Sequence, residues 1–276
     1  MNSVFKQVKG AALTLALVAA AAASHAAPVG QPVTIQESAI SGALANSLQV
    51  DQLIGAYDEV VTFLDATKFS TVAIFKASGW NINGSPVPSQ LNLSPIFGNS
   101  GYGLYAKFKA TGTYSTVGTV TTFSGGSGGI EIWADSAQDT LGTVGASASA
   151  IPAYSDLVIT GATEDKLLAS ATAFSLNQGS IDSGSAANGN FEIVYNNFSL
   201  QNPDGENYFT APRPFYMLLD LNGNFQSISP VVGASVKLLN NSANGFFLNV
   251  PEPDALALVA LAMLGMGVAT RRGRKM

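Results

Sequence analysis

Gly101-Tyr102-Gly103-Leu104-Tyr105-Ala106-Lys107-Phe108-Lys109-Ala110 alternates between two kinds of side chain. Tyr102, Leu104, Ala106 and Phe108 fall on one face, and Tyr105, Lys107 and Lys109 on the other. A period of two is the signature of a strand, so one face is expected in a core and the other in water. Runs of the same character recur at 57–65, 69–77, 130–135, 157–162, 167–176, 191–200, 215–221 and 235–239. Turn formers separate them, among them Ser78-Gly79, Asn83-Gly84-Ser85-Pro86, Asn188-Gly189-Asn190 and Asn202-Pro203-Asp204-Gly205. Short strands without intervening helix patterns predict an all-β domain, an antiparallel β-sandwich or jelly roll. Residues 39–55 leave room for a short helix. The glycine-rich stretch at 124–129 lacks the Lys-Ser or Lys-Thr of a phosphate loop and is expected to be a hairpin connection. Residues 177–189, rich in Ser, Gly and Asn, are expected to form a loop. No internal repeat stands out.

Both ends of the chain carry a different pattern. Lys6 and Lys9 precede an apolar run, 11–23, and Ser24-His25-Ala26 places small residues where signal peptidase reads them. This predicts a signal peptide over 1–26, cut between Ala26 and Ala27, and entry into the Sec machinery. At the other end, Pro251-Glu252-Pro253 is followed by an apolar run, 255–269, and then by Arg271, Arg272, Arg274 and Lys275. Fifteen helical residues rise only ~22 Å against a hydrocarbon thickness of ~30 Å, which suits a single short transmembrane helix used as a temporary anchor. The prolines stop it from extending backwards. The basic cluster should stay in the cytoplasm, leaving the preceding chain outside. The expected organisation is thus a signal peptide at 1–26, a β ectodomain at 27–249 and a C-terminal signal at 250–276.

Removal of the signal peptide narrows the chemistry available. The chain's one histidine is His25, and it has no cysteine. A mature domain without either cannot build Ser-His-Asp or Cys-His catalysis or a His/Cys metal site. It also folds without disulfides, so its core must hold it together. Of the 18 acidic side chains all but Glu252 and Asp254 lie in the domain, against 7 of the 13 basic ones, a formal net of −9. That balance argues against nucleic acid as a partner.

Three groups of residues remain as candidates. Carboxylate pairs could hydrolyse a glycosidic bond, but the neighbours Asp58-Glu59 and Glu164-Asp165 would point to opposite faces of a strand. Glu131, Trp133 and Asp135 alternate on one face, and Trp80 adjoins a turn. An indole flanked by carboxylates suits a sugar ring and its hydroxyls, while a core tryptophan is the simpler reading. Asp220, Asn222 and Asn224 offer oxygen ligands at alternating positions, as calcium loops do, but lack the glycine and the terminal glutamate of an EF-hand. No cofactor and no catalytic residue is assigned, and the domain is expected to be non-enzymatic.

The order Pro-Glu-Pro, short apolar helix and Arg-rich end resembles the PEP-CTERM sorting signal. The resemblance implies recognition by a membrane exosortase, loss of the signal, and delivery to the surface or exopolysaccharide matrix of a Gram-negative bacterium after transient anchoring in the inner membrane. A second resemblance lies within the domain. Tyr57-Asp58-Glu59-Val60-Val61-Thr62-Phe63, Gly101-Tyr102-Gly103-Leu104-Tyr105-Ala106 and Tyr208-Phe209-Thr210-Ala211-Pro212-Arg213-Pro214-Phe215-Tyr216 are similar to segments of the flocculation-associated PEP-CTERM proteins, the PepA-like group. It implies a protein that promotes cell aggregation within exopolysaccharide and has no enzyme activity.

Overall fold

The alternating strands roll into a closed cylinder. The computed structural model describes residues 31–92, 101–182, 189–196, 198–213, 216–223 and 230–248. In chain order the strands are β1 (Val33–Gln36), β2 (Ser47–Val50), β3 (Gln52–Phe63), β4 (Lys68–Ile82), β5 (Ser85–Val87), β6 (Gly103–Val117), β7 (Val120–Asp135) and β8 (Leu141–Val144). There follow β9 (Leu157–Thr160), β10 (Lys166–Ala171), β11 (Ala173–Asp182), β12 (Gly189–Asn196), β13 (Ser199–Leu200), the short helix α1 (Asp204–Tyr208), β14 (Phe209–Ala211), β15 (Tyr216–Gly223) and β16 (Ser235–Leu248). Eight of these form the wall in the order β3-β4-β6-β7-β11-β12-β15-β16, each antiparallel to the next. Pairing of Phe246 with Gln52 and of Val236 with Val61 joins the last strand to the first and closes the barrel.

The all-β expectation therefore holds, and the sandwich or jelly roll gives way to an up-and-down meander. Alternation is identical in the two architectures, because each puts every second residue inside. What distinguishes them is the β3–β16 pairing, between residues too far apart in sequence for any local pattern to announce.

The two poles of the barrel differ. At one, β3–β4 and β6–β7 are joined by short turns at 64–67 and 118–119. From the other depart the excursions that carry β5, β8–β10, β13, α1 and β14. There a three-stranded sheet, β14-β1-β2, closes the barrel mouth. Val33, Ile35, Leu48 and Val50 from this cap share one core with Tyr57, Phe75, Trp80, Phe108 and Phe247 of the wall. At the opposite pole Phe63, Phe69, Tyr114, Phe123 and Ile181 form a second cluster. Within the lumen the apolar side chains leave a cavity of only about 30 Å³, lined by Leu53, Phe75, Phe108 and Met217 among others. Among the described residues the lumen is a packed core, not an open ligand cup.

Glycine at 124–129 reads differently in the fold. The stretch runs inside β7, paired to β6, instead of forming a hairpin connection. The register slips between Thr111 and Gly112, where Gly112 faces Gly125 and Thr111 faces Ser127. A Cβ on Gly128 would sit 2.5 Å from the Lys109 carbonyl oxygen, so these strands approach as only glycine allows. Residues 177–182 of the expected loop instead extend β11, and Gly189 opens β12, while 183–188 lie outside the described residues. The 39–55 segment holds only the end of a single 3-10 turn, Glu37–Ala39, before β2.

Candidate functional site

The outer wall of β6 and β7 is the most elaborated surface. Tyr105 pairs with Trp133, Lys107 with Glu131 and Lys109 with Gly129, so these side chains stand side by side outside the barrel. This face was expected to be wet, yet Tyr105 is buried. The β8–β9 hairpin and the turn at Tyr154–Asp156 fold back over it, and Val144, Ala148 and Leu157 cover Val60, Val72, Ile74 and Tyr105. Alternation reports which residues leave the lumen, not what then lies on top of them.

Trp133 is half-buried here. Its indole N–H donates to Glu131 Oε2 at 3.0 Å. The Lys107 ammonium lies 3.9 Å from the ring centroid and 3.8 Å from Glu131 Oε2. Burial holds that ammonium below the ordinary lysine value, opposed by the Glu131 charge. The Tyr105 ring runs nearly parallel to the indole, at 10° and 6.4 Å between centroids. The indole therefore has its N–H and one face already engaged. Asp135, the third member of the expected sugar-contact set, turns away into the following loop. It is buried, and its oxygens accept the Gln138 and Thr140 N–H groups at 2.5 and 3.0 Å. Trp80 is 1% exposed and stacks on Phe247 inside the cap, so it offers no surface platform.

Beside this patch an acidic group assembles that the sequence did not reveal. One carboxylate oxygen from each of Asp135, Asp139 and Glu164 lies within 4.8 Å of the others. Asp165 adjoins them, accepting the Tyr105 hydroxyl at 2.6 Å and the Thr140 hydroxyl at 2.8 Å on Oδ2. Glu164 Oε1 and Asp165 Oδ1 are buried without a donor. Desolvation and the Glu164 charge push Asp139 above the ordinary carboxyl range; desolvation does the same to Asp165, and backbone N–H donation holds Glu164 below it. Such a set of oxygens is the kind of environment a hard divalent cation takes, and among the described residues it is the group with that geometry. Glu164 and Asp165 were expected to diverge as strand neighbours. They precede β10 in a turn, where strand alternation does not apply. A cleft of about 190 Å³, lined by Lys76, Asn92, Tyr105, Asp135, Gln138 and Thr140, opens next to the group. The calcium candidates from sequence lie elsewhere. Asp220 and Asn222 belong to strand β15, their backbones paired with Glu192 and Asn190, and so do not form a ligand loop. Asn224 lies outside the described residues.

The burial of two further carboxyls, Glu37 and Glu59, was not read from the sequence. Glu37, fully buried under the cap, accepts the Gln90 N–H at 2.7 Å, the Asn46 amide at 2.6 Å and the Tyr102 hydroxyl at 3.1 Å. Tyr102 and Tyr208 share a further hydrogen bond of 2.7 Å, tying α1 to the network. Glu59 points into the lumen at the other pole, beside a cavity of about 20 Å³ lined by Val61, Phe69, Phe123 and Leu238. The Thr71 hydroxyl donates to it at 2.7 Å. Burial raises its pKa from 4.5 to about 7, against the lowering effect of that bond.

The fold and its surfaces define an all-β meander barrel whose last wall strand ends at Leu248. Directly after it, residues 249–275 match the PEP-CTERM protein-sorting motif. That motif indicates an exported protein directed to an exosortase and to the cell surface. No curated protein and no solved structure matches the chain. The residues of the motif, and those of the expected signal peptide, with Ala26 and Ala27, lie outside the described residues. Among the described residues no helix is long and apolar enough to cross a membrane.

Proposed function

We propose that the mature barrel is a non-enzymatic surface or matrix protein that promotes flocculation or biofilm cohesion together with exopolysaccharide, as in the PepA-like group. In this reading the Sec machinery and signal peptidase release the chain at Ala26–Ala27. The short C-terminal helix then holds it in the inner membrane of a Gram-negative cell until the exosortase cuts near Pro251-Glu252-Pro253. The observation that carries the reading is the sorting motif joined directly to the wall strand β16, on a domain empty of cysteine and, once its signal peptide is gone, of histidine. Deleting residues 249–276 should abolish both surface retention and floc formation. Flocculation at the wild-type level from the deleted chain would refute the proposal.

A second reading makes the outer wall a carbohydrate-binding surface at Trp133 and Glu131. Its support is the half-buried indole beside a polar cleft, and the prior engagement of that indole by Lys107 weighs against it. Pull-down on the producer's own polysaccharide, with Trp133→Ala as the control, separates the two. Release of reducing ends in the same assay would point instead to a carboxylate-pair hydrolase.

A further inference from the structure

The two ends of the barrel domain meet at one point. The Gln31 N–H donates to the Phe247 carbonyl at 2.7 Å, and the Phe247 N–H donates to the Asp51 carbonyl at 3.0 Å. Gln31 leads into the cap, and Leu248 is the final residue of β16. The sorting motif begins at the next residue, 249. From Leu248 to Ala255, where the apolar run starts, is seven residue steps, ~24 Å even if fully extended. The barrel wall is longer. The 12 residues of β3 rise ~3.3 Å each, and a tilt of roughly 40° leaves a wall height of ~30 Å. A tether shorter than the barrel is tall cannot let the molecule turn over.

We infer that, before it is processed, the barrel stands on its capped pole, with the β14-β1-β2 sheet and α1 against the membrane surface and the short turns at 64–67 and 118–119 directed away from the cell. This rests on the anchored precursor of the proposed function. It assigns a partner to each pole. The lipid surface and the sorting enzyme meet the cap, while the matrix first meets the hairpin tips and the side wall. The acidic residues of α1, Asp204 and Glu206, lie on the cap side, so contact there is imposed by the tether and not by charge attraction to an anionic lipid.

The chain contains no cysteine, so a single introduced thiol reports one position cleanly. Gln49→Cys marks the cap on β2, and Ala66→Cys marks the β3–β4 turn; both positions are exposed. Each is labelled with a donor fluorophore in the unprocessed chain, reconstituted in vesicles that carry a headgroup acceptor and no sorting enzyme. Transfer from position 49 is expected to exceed that from position 66 at least twofold. Inserting a 20-residue Gly-Ser linker after Leu248 should abolish the difference. Equal transfer without the linker, or a difference that persists with it, overturns the orientation. A chain that fails to float with the vesicles overturns the anchored precursor itself, a failure visible before any transfer is measured.

Discussion

Asp58 and Glu59 are neighbours on β3 and stand on opposite sides of the barrel wall. Asp58 faces outward, accepting the Asn240 N–H at 2.9 Å with the Lys76 ammonium 3.9 Å away. Glu59 faces the lumen among Val61, Phe69 and Phe123. One position in the chain thus separates a carboxylate in an ion pair from a carboxyl held in an apolar interior, the alternation of a strand expressed as electrostatics.

Glu59 makes stability depend on pH. Its folded pKa, about 7, lies above the unfolded value of 4.5, so the folded state binds the proton more tightly. Stability from this group is fully present below pH 4.5, declines as pH rises to about 7, and is flat beyond. The decline amounts to roughly 3 kcal/mol at most. Glu59→Gln should remove that slope and be the more stable protein at pH 8. Urea midpoints of the two proteins between pH 4 and 9 test this, and parallel profiles would contradict it.

Glu37 should be the costliest polar residue of the cap to lose. Truncation to alanine takes the acceptor from the buried Gln90 N–H and Tyr102 hydroxyl and from the part-buried Asn46 amide. The expected loss is about 3–5 kcal/mol, against about 1 kcal/mol for Tyr208→Phe, which removes one hydroxyl pair. Equilibrium denaturation of both variants gives the comparison. A Glu37→Ala protein as stable as the wild type would show that the network does not secure the cap.

Two glycines of the β6–β7 ribbon should respond unequally to substitution. A Cβ on Gly112 would overlap the Ser124 carbonyl oxygen and lie 2.7 Å from Phe69 Cε1, whereas the nearest atom to one on Gly126 is 3.6 Å away. Gly112→Ala should cost about 2–4 kcal/mol and Gly126→Ala under about 1 kcal/mol. Thermal melting distinguishes them.

Lys107 shields Trp133. Replacing it with alanine removes the cation over the indole and the packed stem, an expected loss of about 1 kcal/mol. It should also raise acrylamide quenching of Trp133, while Trp80, buried in the core, stays protected. Unchanged quenching would mean that the lysine does not occupy the ring face.

Much of this architecture was legible in particular residues. Tyr102, Leu104, Ala106 and Phe108 point inward as their spacing demands, and Asp58 and Glu59 diverge as strand neighbours must. Three features were not. Glycine at 124–129 signals a turn unless one knows that Lys109 and Ala110 press against it from β6. Tyr105 alternates outward, and only the return of the 136–165 segment buries it. The acidic group joins Asp135 and Asp139 to Glu164 and Asp165 across the β8–β9 hairpin, a proximity written in topology and in no local motif. Asp135 was singled out as a partner for Trp133, and its side chain serves the loop after it instead.

The pairing of β16 with β3 sets the timing of folding. Residues 52 and 246 must come together to complete the cylinder, and everything between them is synthesised first. Until β16 is in place, the chain has seven staves and an open seam, with β3 and β15 each lacking a neighbour. Contacts of such long sequence separation form late and slowly. Barrel closure is therefore the last step of folding, made by the strand that directly precedes the sorting motif.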